Sequence, residues 1–463
     1  MTKKALFVSG FALAALVAVA QNRILIELTQ SGGKGTIAIP DFRGTGDAQR
    51  FMGVFNQTLW EEIDQSGLFR MAPKTSYPLQ APQQPSDIKG GVAPQPPAPP
   101  KRGTPPPVQQ PTGMYLGDWA GPPVSANYLA FGYTASQGGR LVLMGWFYNV
   151  TQPDAANAQV FGKIYNGSLD DTGARDVARQ FAADILKQFG MESLAGTKVV
   201  FVSTRSGAKE IWAMDYDGSN QRPITKYGSI STTPAVSPDG SKVAFTSYVR
   251  SQPEILIHSL ETSRRLPFFN QNASMNATPS YSPDGKQIVF SSTLAGGYAQ
   301  IYSADANGSN LKRLTFSRFV EVEPKVNPKT GNEIVFVSGR SGPQQIYKMN
   351  IEGTDIVRLT TGEGEASNPA WHPDGQHIAF AWTRGFEPGN FNIFIMNVAS
   401  REYVQLTHGA GRNENPTWAP DGRHLVFSSR RGGRTNIYTM LADGTQVKQL
   451  TTQGENTMPV WSK

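Results

Sequence analysis

PSYSPDGKQIVFSSTLAGGYAQIYSADANGSNLKRLT, residues 279–315, decides the fold because most of it comes back. Its opening returns as PAVSPDG from Pro234, PKVNPKTG from Pro324, PAWHPDG from Pro369, PTWAPDG from Pro416 and PVWSK from Pro459. The successive prolines are 45, 45, 45, 47 and 43 residues apart. A fixed period of that size, with several short strands per unit, is the pattern of a β-propeller in which each repeat is one four-stranded blade.

Each repeat resolves into parts. The Pro-x-aromatic run is a first strand, and Ser-Pro-Asp-Gly is a tight turn, with proline presetting φ and glycine free to take φ > 0. Second strands follow as KVAFTS, KQIVFSS, EIVFVS, HIAFAW and HLVFSS, and third strands as EILIH, QIYSA, QIYKM, NIFIM and NIYTM. A fourth strand ends most units as Arg-Leu-Thr or Gln-Leu-Thr. The second strands are nearly unbroken runs of Val, Ile and Phe, which suits a sheet covered on both faces, as a blade is by its neighbours. The run KVVFVS from Lys198 and the run EIWAM from Glu210 are a second and third strand with no first strand before them, whereas PVWS from Pro459 is a first strand with nothing after it. Together they complete a sixth blade, so the ring closes by pairing the two ends of the repeat region, and closure removes open sheet edges.

The chain has 463 residues, room for a propeller over 191–463 and one smaller domain. Its formal charge is +7, with 43 Lys and Arg against 36 Asp and Glu, and no basic cluster interleaved with aromatics. That argues against a nucleic-acid partner. Residues 1–20 read as a cleaved secretory signal: Lys3 and Lys4, an apolar run over 5–17, and Ala18-Val19-Ala20 as the cleavage site. No other apolar run is long enough to insert in a membrane, so the exported mature protein is expected to be soluble. Cysteine is absent, so export brings no disulfide and no lipid-bearing cysteine.

Residues 21–35 form an N-terminal arm in which Arg23, Ile24, Leu25, Ile26 and Glu27 have strand composition before a Gly-Gly break. Such a strand is either an edge of the next domain or one offered to a partner by strand addition. Residues 36–190 lack the repeat. Phe51, Phe55, Leu59 and Ile63 mark one face of a helix capped by Asp47; Val177, Phe181, Ile185 and Phe189 mark a second, opened by Asp171 or Thr172 and stopped by Gly190. Strands over 36–39, 128–133, 141–150 and 159–165 alternate with them, giving a small α/β domain. Within it, the Pro-rich stretch 78–111 is expected to be an extended, mobile loop.

Chemistry is sparse. The sequence has no H-E-x-x-H, no complete EF-hand loop and no Gly-x-Ser-x-Gly elbow. His377 and His424 occupy the repeat position of Lys242 and Gln287, and His372 replaces the serine of the turn, so the histidines read as structural rather than as a metal cluster; no cofactor is expected. What remains is the segment before each repeat proline, STT from Ser231, NAT from Asn276, EVE from Glu321, SN from Ser367, NEN from Asn413 and NTM from Asn456. Read as loops opening on one rim of the channel, these make a polar, partly acidic docking ring, with Asn368 and Asn415 among its members. The competing readings are a secreted propeller enzyme and a glycan-binding module acting on cell-wall polysaccharide. A glycan module needs exposed aromatics at the mouth, whereas Trp371, Trp418 and Trp461 lie inside first strands.

The signal, the arm beginning Arg23-Ile-Leu-Ile-Glu, the run IAIPDF from Ile37, the α/β domain and the repeats ending in Pro-x-Trp-Ser resemble the TolB family over essentially the whole mature chain. The resemblance implies a small N-terminal α/β domain followed by a six-bladed propeller, and a non-enzymatic periplasmic role in the Tol–Pal envelope system. It implies the peptidoglycan-associated lipoprotein Pal on the channel mouth and the inner-membrane protein TolA on the N-terminal strand. Asn276, Thr278, Val322 and Glu323 then fall in segments that look like lipoprotein-contacting loops, and residues 22–28 look like the TolA-binding strand. Met275 and the long Pro-rich insert depart from the family pattern.

Overall fold

The computed structural model describes residues 34–92, 112–384, 389–409 and 411–462. The signal segment, the arm residues Arg23 to Glu27 and the stretch 93–111 lie outside them. The chain divides into two compact units, whose described parts fall within Gly32–Ala195 and Gly196–Lys463.

In the first unit a sheet runs in the order Arg70–Met71, Thr36–Ala38, Tyr128–Gln137, Arg140–Asn149, Gln159–Ser168, with Arg43–Thr45 also pairing beside Tyr128–Gln137. The helices Met52–Gln65 and Asp171–Lys187 pack on one face of it, and Phe55, Leu59, Ile63, Val177, Phe181 and Ile185 are fully buried there. These are the residues whose four-residue spacing marked one apolar face. The starts differ from the expectation. Asp47 does not cap the first helix; it sits in a 3-10 turn, Gly46–Phe51, that leads into it. The second helix is capped one residue earlier than expected, by Asp170, whose carboxylate accepts from Gly173 N at 2.7 Å.

The Pro-rich stretch is folded through residue 92. Pro85–Asp87 forms a single turn whose Asp87 carboxylate accepts from Gln83 N and Gln84 N, and Ile88 is buried with Leu116 and Trp119 on the other face of the sheet. Composition averaged over the whole stretch hides the one aspartate and one isoleucine that supply a cap and an anchor.

The second unit is six four-stranded antiparallel sheets. The sixth is Asn456–Ser462, Lys198–Ser203, Glu210–Asp215 and Arg222–Pro223, so the last strand of the chain closes the ring on the first strands of the unit. Trp461 pairs with Val199 in register. Each second strand buries one phenylalanine at the same position: Phe201, Phe245, Phe290, Phe336, Phe380 and Phe427, all 2% exposed or less. The Pro-Asp-Gly turns are tied by their own side chains. Ser282 Oγ donates to Asp284 at 2.6 Å and accepts from Gln287 N at 2.9 Å, while Gly285 takes φ +70°.

Candidate functional site

Each blade's first strand is bulged at one place. Its pairing to the second strand shifts register between Thr232/Ala235, Ala277/Ser280, Val322/Lys325, Ser367/Ala370, Glu414/Thr417 and Thr457/Val460. The two residues in each bulge are the repeat proline, which has no N–H to give to a ladder, and the residue before it. That preceding residue is left-handed in all six blades: Thr233, Thr278, Glu323, Asn368, Asn415 and Met458 have φ between 49° and 55°. Asparagine tolerates this conformation; a β-branched threonine or a methionine holds it only against strain of roughly 1–3 kcal/mol.

The six residues line the central channel, together with Lys325 and Thr417, around a cavity of about 70 Å³ for the centres of water-sized molecules. They are linked blade to blade by side chains that accept the next blade's backbone N–H. Thr278 Oγ1 accepts from Glu323 N at 3.3 Å, Glu323 Oε2 from Asn368 N at 2.7 Å, and Asn368 Oδ1 from Asn415 N at 3.3 Å. Met458 Sδ takes Thr233 N at 3.4 Å, and Thr233 joins Thr246, which accepts from Thr278 N at 3.0 Å. The bulge frees these N–H groups from the ladder, and the neighbouring ring residue satisfies them. Burial pushes the Glu323 carboxyl above its ordinary value, against the Asn368 hydrogen bonds that favour its charged form, and burial pulls the Lys325 ammonium down.

Of the residues singled out in the sequence, Thr278, Glu323, Asn368 and Asn415 therefore come together in the channel wall. Asn276 does not. It is 2% exposed and turned away, its Nδ2 donating to Gln271 O at 2.9 Å. Val322 packs on the apolar cluster of Val335, Val337 and Trp371. The expectation of open loops fails here for a simple reason: the segments are the beginnings of first strands. Their leading residues Ser231, Asn276, Glu321, Asn413 and Asn456 are buried, and only the third position faces the channel. Thr233 and Met458 share that position and were legible as the residue before each repeat proline; Lys325, the residue after one, carried no such signal.

Outside the channel, the same rim carries apolar side chains. It is formed by the fourth-to-first and second-to-third connections, which meet where Tyr248 N bonds Ile230 O and Gln300 Nε2 bonds Phe319 O. Ile230, Tyr248, Leu294, Tyr298, Phe316 and Phe319 are exposed along it, Phe316 by 73%. Trp371, Trp418 and Trp461 are buried, as their place in first strands implied. Trp371 Nε1 donates to Lys325 O of the neighbouring blade, and Trp461 Nε1 to Thr197 Oγ1.

His372, Asp374 and His377 bring three metal-competent atoms within 4.8 Å of one another. Their ring nitrogens are already engaged by neighbouring groups. His372 Nε2 donates to Gly422 O at 2.8 Å, while its Nδ1 lies 3.0 Å from both Asp374 N and Asp374 Oδ1. Asn397 Oδ1 accepts from Ala399 N and Ser400 N, so its amide donates to His377 Nε2 at 3.2 Å. His377 Nδ1–H then donates to Asp374 Oδ2 at 2.7 Å. A cation on Nδ1 would force a proton onto Nε2, against the Asn397 amide. The cluster instead joins one blade's turn to the next at Gly422, as Asn327 Nδ2 does at Gly375 O one blade earlier. His424 donates to Asp421 at 2.6 Å in the same register, and His258 lies between Tyr227 OH and Ser263 O.

The described residues thus combine a six-bladed propeller with a lined channel and an apolar rim, and a separate α/β unit. The profile of the TolB beta propeller domain matches residues 187–383 and 362–463, more than half of the chain, and the chain belongs to that family. A protein TolB homolog of Chlorobium chlorochromatii is 34% identical over 200 residues, 43% of this chain and 43% of the relative. A Tol-Pal system protein TolB of Desulfosudis oleivorans is 34% identical over 212 residues, 44% of this chain and 46% of the relative. The chain thus aligns with less than half the length of these relatives. The crystal structure of TolB from Acinetobacter baumannii superposes with a TM-score of 0.72 at 20% identity, covering 92% of this chain and 96% of that one, a likeness of fold. Among the described residues no helix is long and apolar enough to cross a membrane.

Proposed function

We propose that the chain is a periplasmic, non-enzymatic scaffold of the Tol–Pal system, exported by its N-terminal signal and acting as a monomer. It binds a peptidoglycan-associated lipoprotein over the propeller mouth and a TolA-like inner-membrane protein through the strand Arg23 to Glu27, and so supports outer-membrane integrity and envelope constriction at division. The observation that carries the reading is the mouth itself: the channel ring of Thr278, Glu323, Asn368 and Asn415 beside the exposed Tyr298, Phe316 and Phe319 on one rim. Apolar anchors around a polar centre on a rigid scaffold suit a protein partner. The TolB propeller family, and relatives named as Tol-Pal system proteins, support a place in that system.

The test is calorimetric titration of residues 21–463 with the soluble domain of the same organism's lipoprotein, repeated with Phe316→Asp and Tyr298→Asp. Both substitutions sit on exposed side chains and are expected to leave the fold intact, which the melting curve of each variant checks. Loss of binding in both supports the mouth as the docking face; unchanged binding removes it. Deleting residues 21–33 is expected to abolish binding of the TolA-like protein alone. The exposed rim aromatics also suit a glycan-binding module, and binding of cell-wall fragments without the lipoprotein domain would favour that reading.

A further inference from the structure

The channel lining has an uneven supply of hydrogen-bonding groups. Its carboxylate, Glu323, has both oxygens covered by Asn368: Oε2 by the backbone N–H at 2.7 Å, and Oε1 by the side-chain amide at 3.1 Å. The hydroxyls of Thr233 and Thr278 are paired with Thr246 and Ser291, both at 2.6 Å. Two groups are unspent among the described residues. The Lys325 ammonium has no ion pair within 4.0 Å, although it is near enough to Glu323 to feel its charge. The Asn415 side chain accepts from Ser428 Oγ through Oδ1 at 3.0 Å, and its NH2 bonds nothing.

Both unspent groups are donors, one of them cationic, and both line the same small cavity. The other five blades place Ala235, Ser280, Ala370, Thr417 and Val460 where Lys325 stands, so the cation belongs to one blade and not to the repeat. Lys325 is half-buried, so its ammonium is partly stripped of water in a wall that otherwise carries small or uncharged side chains at this position, and an acceptor in the cavity would offset that cost.

We propose that the channel holds a carboxylate-binding subsite made by the Lys325 ammonium and the Asn415 amide. A carboxylate offers two oxygens to hydrogen-bond donors, and the cavity of about 70 Å³ that both residues line has room for a group of this size. The carboxylate comes either from an acidic side chain of a protein seated on the mouth or from a free small acid. The chemistry of the subsite does not depend on the proposed function; only the first source does.

The test uses the full mature chain with lysines labelled at 13Cε and 15Nζ, the Lys325 signal being assigned by its loss in Lys325→Arg. Sodium acetate is titrated against sodium chloride at constant ionic strength, then the blocked tripeptide acetyl-Gly-Glu-Gly-amide. A saturable shift of the Lys325 signal with acetate is expected. It weakens by about tenfold or more in Asn415→Asp, which keeps the left-handed backbone and the Ser428 contact but replaces the donor by an acceptor. A matching shift with the tripeptide assigns the subsite to a protein side chain; a shift with acetate alone assigns it to a free acid. A Lys325 signal that does not move with acetate overturns the proposal, as does equal binding by Asn415→Asp. No partner protein enters the experiment, so its failure would leave the scaffold reading standing.

Discussion

Ring closure rests on one short strand, and Trp461→Ala tests it. Trp461 is 8% exposed, sits opposite Val199 across the closing pair, and donates its indole N–H to Thr197 Oγ1 at 2.9 Å. Truncating a buried tryptophan costs about 3–5 kcal/mol, the transfer term plus the cavity left behind. A domain's whole stability is about 5–15 kcal/mol, and for a unit of this size each kcal/mol moves the midpoint by about 2–4 °C. The propeller transition should therefore fall by about 6–20 °C in scanning calorimetry, with the α/β transition unmoved. Trp371→Ala is the control. It removes an equivalent tryptophan, hydrogen-bonded to Lys325 O between two blades joined by continuous chain. Loss of Trp461 should also broaden the transition, because the closing blade can open while the others hold. A shift below about 2 °C, with Trp371→Ala behaving normally, would refute closure by this strand.

Other expectations follow from the ring and the turns. Glu323→Leu leaves the Asn368 N–H and amide without acceptors and should cost about 2–4 kcal/mol by urea unfolding, while Glu323→Gln keeps an acceptor and should cost about 1 or less. Met458→Asn places a residue that tolerates φ near 51° where a thioether now accepts the Thr233 N–H weakly, and should raise propeller stability by about 0.5–1 kcal/mol. Asp421 is held below the usual carboxylate range: burial pushes it up, but the charge of His424 and the hydrogen bonds from His424 and Arg423 N outweigh burial. A depressed carboxylate adds stability that is full above its unfolded pKa of about 4 and is lost as pH falls toward the folded value. Asp421→Asn should thus destabilise the propeller at pH 7 and cost progressively less below pH about 4, seen as converging melting curves.

Much of the fold was legible because repetition averages out local ambiguity. Six proline-led first strands, five of them followed by a turn and an apolar run holding a phenylalanine, leave little freedom, and the orphan strands at Lys198 and Pro459 could only complete each other. The helices were readable from four-residue spacing, but their first turns were not. Whether Asp47 or Asp170 caps depends on a backbone angle that neighbouring residues set. The site was half legible. The residue before each proline was recognisable as special, yet sequence alone read its segment as a loop, because the strand signal there is broken by the proline that causes the bulge. Asn276 looked like its channel-lining neighbours in composition and differs only in lying two residues up the strand, on the buried side of the bulge. Lys325 stood in a strand where a charge signals an exposed face; that the face is a channel follows only from six blades meeting.

The central claim is that a protein partner sits on the mouth, and site-specific photo-crosslinking tests it most directly. A benzophenone side chain is placed at Phe316 on the mouth rim, and in a second sample at Thr445, an exposed residue in a third-to-fourth strand turn on the opposite rim. Each is irradiated with the soluble domain of the cognate lipoprotein. The account predicts a one-to-one crosslinked product from position 316 and none from 445. A product from 445 alone, or none from either position while binding persists in solution, would contradict it.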